Sequence, residues 1–188
     1  MIRTILFFFG LVYTLKVDSA SQCICTTVPC PVEGNNTITE GGGGEGYYYY
    51  TMHQEYPVVV KANTMITINN LDQGTSTTSC TQQYARMLDD ENLNCDAGHI
   101  LAHRLGGPGN QPINIFPQKP SVNRGSYESM ENTIYKCIQE SNETRAWLSW
   151  EFNYKNVSNT RPYSVIYSAT FSSGSCEDMV SEFDNEGI

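Results

Sequence analysis

His99, Asn123 and Glu131 are residues whose types and spacing could do chemistry together. They share one stretch, "CDAGHILAHRLGGPGNQPINIFPQKPSVNRGSYESMEN", residues 95–132, in which a histidine, asparagines and a glutamate stand among turn-forming residues. Histidine has an unperturbed pKa near neutrality, so an imidazole presented at a strand end can act as a general base. The amide oxygen of Asn123 is a poor ligand for zinc but a good one for the hard ion Mg²⁺, which keeps most of its waters and needs only one or two protein contacts. A neutral ligand also leaves the ion's charge intact for a phosphate. Each residue has an ordinary structural alternative as well: a satisfied histidine, a helix cap, a solvated carboxylate. His103, four residues after His99, would share a helix face with it as in H-E-x-x-H metalloproteases. The glutamate of that motif is absent, and Gly106-Gly107 and Pro108-Gly109 follow, so a zinc-protease site is not expected.

These residues need elements to hold them. Ser121–Glu140 reads as a helix, because Val122, Tyr127, Met130, Ile134 and Ile138 recur at helical intervals and Ser121 can cap it. Asn123, Tyr127 and Glu131, each four apart, then share one flank. His99 follows "DAG", where glycine would let the backbone turn and present the imidazole. Upstream, "GYYYYTMHQEYPVVVKANTMITINN" is dense in β-branched and aromatic residues and predicts two or three strands. Its four tyrosines read as a strand partly covered on both faces rather than as a stacking surface. "LDQGTSTTSCTQQ" reads as a polar loop. "TRAWLSWEFNY" and "RPYSVIYSATF" alternate as strands, the first with Ala146, Leu148, Trp150, Phe152 and Tyr154 on one face, joined by the turn "KNVSNT". The expected fold is α+β: a mixed or antiparallel sheet and one main helix, without internal repeats.

The 188 residues suit one domain. The start, with Arg3, an apolar run from Ile5 to Tyr13 and small residues from Ser19 to Ser21, has the layout of a signal peptide cleaved near Val17-Asp18-Ser19. The apolar run is far below the ~20 residues that span a bilayer. Residues 1–20 are therefore expected to be a leader and 21–45 a Cys/Gly-rich lead-in without hydrophobic period, ahead of a domain over 46–188. Sequons at Asn35, Asn142 and Asn156, all expected in loops, agree with a secreted glycoprotein. So do seven cysteines, most of which should pair in an oxidising compartment; their odd number leaves at least one over, and the pairing cannot be read from sequence. The net charge of −9 argues against nucleic-acid binding by bulk electrostatics. The acidity lies elsewhere, however: from Asp96 to Lys136, Asp96, Glu128 and Glu131 face Arg104, Lys119, Arg124 and Lys136, leaving that segment at +1.

"DAGH" at 96–99, "GG" at 106–107, "NIFPQ" at 114–118, "NRG" at 123–125 and Glu131 together resemble the DNA/RNA non-specific endonuclease family, the ββα-metal or His-Me finger nucleases, in its small secreted branch. The match covers about forty residues. The resemblance implies a ββα-metal finger core, with His99 activating the attacking water and Asn123 holding a single Mg²⁺ (or Mn²⁺) at the scissile phosphate. It further implies that Glu131 orients water around the ion, that Asn114 and Asp96 hold the loop around the base, and that products carry 5′-phosphates. The substrate would be DNA, RNA or both. Many relatives carry arginine where this chain has Ala97, so the phosphate-binding cation would come from Arg86, Arg104 or Arg124. Two other readings compete: a nuclease-like secreted binding or toxin-like protein with weak or no catalysis, supported by the acidic charge, Ala97 and the tyrosines, and a disulfide-rich extracellular recognition domain.

Overall fold

The computed structural model describes residues 34–38, 46–54, 56–90, 94–172 and 176–187. The leader expected over 1–20 lies outside them. Six strands form one antiparallel sheet in the order β1-β2-β3-β6-β7-β8: β1 Gly34–Ile38, β2 Gly46–His53, β3 Tyr56–Ile66, β6 Ala146–Asn153, β7 Ser164–Phe171 and β8 Met179–Asp184. The short strands β4 Asp96–His99 and β5 Ile115–Gln118 make a separate antiparallel ribbon.

Alternation builds the sheet. In β6, Ala146, Leu148, Trp150 and Phe152 are buried while Trp147, Ser149 and Glu151 face out, the period of two that a half-buried strand requires. The tyrosine run obeys the same rule: Tyr48 and Tyr50 are buried, whereas Tyr47 is exposed. The inner face packs against the helix α3, Glu128–Gln139, through Met130, Ile134 and Ile138. An aromatic cluster closes the interface, with ring centroids 4.7 Å apart for Trp150–Tyr167, 4.9 Å for Tyr127–Phe183 and 5.2 Å for Phe116–Phe152. Each such buried ring contributes about 1.5–3 kcal/mol relative to an exposed one.

Three expectations are corrected. The segment read as a polar loop runs into a helix, α1 Ser79–Leu88, so the fold has a second sizeable helix. Thr78 caps it by accepting from Thr81 N, and its narrow apolar side, Tyr84 and Leu88, packs on Val58. The lead-in over 21–45 contains β1, which pairs with β2 from Gly34↔Tyr50 to Ile38↔Gly46, and the sequon at Asn35 therefore lies on a strand. Asn142 and Asn156 are exposed outside the strands, as expected. The helix over 121–140 exists but is interrupted: α2 Pro120–Val122 leads through a wide π turn, Asn123–Tyr127, into α3, with the break at Gly125. Such turns recur at functional sites.

Disulfides and a buried ion pair tie these elements together. Cys137 of α3 is bonded to Cys176, Cys80 is also disulfide-bonded, and Cys95 is a free thiol. Asp89 at the end of α1 pairs with Arg161 at 2.8 Å, both buried, while Arg161 Nε donates to the Asn185 carbonyl. Among the described residues no helix is long and apolar enough to cross a membrane.

Candidate active site

The ribbon and the helix start converge on an open cleft of about 250 Å³ lined by His99, His103, Arg104, Asn123 and Glu131, with Arg124 and Glu128 at its side. Gly98 precedes His99 for a reason other than turning. A Cβ there would run into the Gln118 side chain across the ribbon, so the glycine permits the close approach of β4 and β5.

The His99 ring is fixed from behind. Its Nε2 lies 3.1 Å from the Thr75 carbonyl oxygen. A carbonyl only accepts, so Nε2 carries the hydrogen and donates, which leaves Nδ1 as the unprotonated nitrogen. A Cβ on Gly109 would sit 2.5 Å from Nε2, so that glycine keeps the ring's seat open. Burial lowers the His99 pKa, the Thr75 bond opposes this in part, and the nearby His103 adds a smaller lowering. The imidazole is thereby held neutral, the form a base requires.

Asn123 is oriented just as definitely. Its Nδ2 donates to Asp96 Oδ2 at 3.0 Å, which turns the amide so that Oδ1 is the remaining acceptor. Asp96 also accepts from Arg124, Nε at 2.8 Å and Nη2 at 2.5 Å. Across the cleft the Glu131 carboxyl is pushed up to about 8, first by burial and then by Glu128, with Arg104 opposing. Glu128 and Glu131, three residues apart at the start of α3, add two carboxyl groups to the lining of the cleft. Among the described residues no group of three or more histidines, cysteines or acids could cage a metal. One amide oxygen with carboxyl groups nearby fits a hydrated hard ion such as Mg²⁺, which needs only one or two protein contacts.

Asn114 lies behind the cleft, fully buried. It accepts from Tyr48 OH at 2.8 Å and Leu101 N at 2.9 Å, and donates to the carbonyls of Leu101 at 3.0 Å and Pro108 at 3.3 Å. It anchors the 100–108 loop to the sheet rather than reaching the cleft. Arg86 is exposed on α1 and is not among the residues lining the cleft; Arg104 and Arg124 are. Sequence reasoning missed Thr75, Gly109, Asn132 and Tyr135. Thr75 carries no signal, because only its backbone touches the histidine. Tyr135 could have been found, since it continues the four-residue series Asn123, Tyr127, Glu131.

A β-ribbon leading into a helix, with histidine ending one strand and asparagine opening the helical segment, defines the ββα-metal nuclease class. The model of the family "DNA/RNA non-specific endonuclease" matches residues 35–171. The chain belongs to that family, whose members are hydrolases. It is 35% identical over 109 residues, 58% of its length, to a protein described as "Probable deoxyribonuclease RhsA" from Dickeya dadantii (strain 3937), of which it spans 7%. Its fold is similar to NucA from Streptococcus agalactiae, solved with no metal bound, at a TM-score of 0.55 and 15% identity, covering 84% of this chain and 83% of that one. A second solved structure, the Sda1 nuclease with bound zinc ion, is similar at a TM-score of 0.54 and 16% identity, covering 83% of this chain and 89% of that one.

Proposed function

We propose that this chain is a secreted, metal-dependent endonuclease that hydrolyses phosphodiester bonds of DNA, RNA or both with little sequence preference. The observation that carries the reading is the pairing of His99, tautomer fixed by the Thr75 carbonyl, with Asn123, amide fixed by Asp96, in one cleft. His99 Nδ1 takes the proton of the attacking water. Asn123 Oδ1 would hold Mg²⁺, and Mn²⁺ would suit the same oxygen. A bound ion would supply positive charge to the phosphate and to the departing 3′ oxygen. Glu131 orients water in the cleft, and a cleft arginine contacts phosphates, which carry no sequence information. Hydrolysis in this sense leaves 5′-phosphate ends. The Cys137–Cys176 bond supports an oxidising destination.

The test is nicking of supercoiled plasmid and of a structured RNA by the disulfide-intact protein, with Mg²⁺ and with chelator, followed by end analysis of the products. Metal-dependent nicking with 5′-phosphates is expected. Folded protein that nicks neither substrate with Mg²⁺ or Mn²⁺ would contradict the reading and favour a nuclease-like binding protein.

A further inference from the structure

Two guanidiniums flank the cleft, and they are held in different ways. Arg124 has its side chain 71% exposed and spends Nε and Nη2 on Asp96. Arg104, on the short turn His103–Leu105, makes no ion pair among the described residues. Its guanidinium carbon lies 4.0 Å from the centroid of the Tyr135 ring, and Nη1 donates to Asn132 Oδ1. Tyr135 OH donates to Asp72 Oδ2 at 2.6 Å, and Asp72 N donates back to the Arg104 carbonyl at 2.9 Å. The circuit closes on itself: arginine, ring, carboxylate and arginine backbone.

We propose that Tyr135, held by Asp72, is a positioning residue that fixes the Arg104 guanidinium as the phosphate-binding cation of the cleft. The proposal rests on the nuclease reading and adds to it which cation binds and what aligns it. Stacking engages the face of a guanidinium and leaves its edge, and phosphates are bound by the edge. Asn132 takes one of the five donors. A free arginine side chain has many rotamers to lose on binding, and the ring contact restricts them before substrate arrives. Arg124 is less suited, because a phosphate would have to displace it from the carboxylate that orients Asn123.

The experiment measures Kd for a short DNA duplex by fluorescence anisotropy in chelator across a salt series, and KM for its Mg²⁺-dependent cleavage, in the full disulfide-intact chain. Variants are Arg104→Ala, Tyr135→Leu, the double variant, Tyr135→Phe and Asp72→Asn. Arg104→Ala should weaken binding about tenfold and reduce the slope of log Kd against log salt by about 0.9, one phosphate contact. Tyr135→Leu should move both in the same direction by a smaller amount, and the double variant should be no worse than Arg104→Ala alone. Tyr135→Phe and Asp72→Asn, which keep the ring, should each cost about two- to fivefold in Kd; they carry the test if Tyr135→Leu does not fold. Multiplicative effects in the double variant, or an unchanged salt slope in folded Arg104→Ala or Tyr135→Leu, would overturn the proposal. The expected Kd pattern without any wild-type cleavage would instead sink the nuclease reading and leave the positioning role standing.

Discussion

The six-stranded sheet and the β4–β5 ribbon are both antiparallel, yet they are specified differently. In the sheet, Leu148, Trp150, Phe152 and Tyr167 are buried by alternation, and the chain's instructions are a pattern of apolar positions. In the ribbon and its loops, single polar atoms decide: the Asn114 side chain makes four hydrogen bonds, the Asp96 carboxylate accepts three, and Gly98 and Gly109 stand where a methyl group would collide. Packing tolerates exchange of like for like, whereas a hydrogen-bond hub does not. Substitutions in the two regions should therefore separate stability from activity.

The sharpest break would come at Asn123. Asn123→Ala removes the proposed ion-holding oxygen and should cut kcat by about 10³-fold, several kcal/mol of transition-state stabilisation, with the urea midpoint scarcely moved. A variant still active within a few-fold would detach the ion from the helix start. The counterpart in the sheet is Trp150→Ala, which should cost about 3–5 kcal/mol of unfolding free energy while turnover per folded molecule stays near wild type. If turnover collapsed in the folded fraction instead, the division between scaffold and ribbon would be wrong. Asp96→Asn leaves the size of the side chain alone but weakens the hold on Asn123 and Arg124. A fall of about 10- to 100-fold in Mg²⁺ affinity, read by titration of activity, is expected, as for other groups that orient a metal ligand.

Smaller effects follow from titration. The His99 pKa is lowered chiefly by burial, so the neutral base persists below its ordinary value of 6.5. The acid limb of kcat/KM should accordingly lie below pH 6.5; a limb above it would assign the base elsewhere. Burial and Asp89 push the Cys95 thiol up to about 12, so labelling by a thiol reagent at pH 8 should be negligible until urea unfolds the chain.

How much of this was legible in the sequence divides along the same line. The closing strands followed directly from alternation, and Met130, Ile134 and Ile138 marked the buried face of α3. Helix α1 was hidden because its cap partner is Thr81, not the glutamate or glutamine of a usual capping box, and its apolar stripe is only Tyr84, Ala85 and Leu88. Strand β1 is built from Gly34, Asn35, Asn36 and Thr37, a turn-like composition that pairing with β2 overrides. At the proposed site, His99, Asn123 and Glu131 stand out by residue type and spacing, and Asp96 by the family resemblance. Their restraints could not, because Thr75 acts through its carbonyl, and Tyr48 reaches Asn114 across 66 residues. Local sequence shows which groups could react, while contacts between distant segments decide how they are held.

Chemical rescue tests the central claim most directly. His99→Gly removes the proposed base and should lower Mg²⁺-dependent nicking by about 10²- to 10⁴-fold. Added imidazole should restore part of it, in proportion to the unprotonated imidazole as pH is varied. Nicking by His99→Gly at the wild-type rate without imidazole would contradict the account.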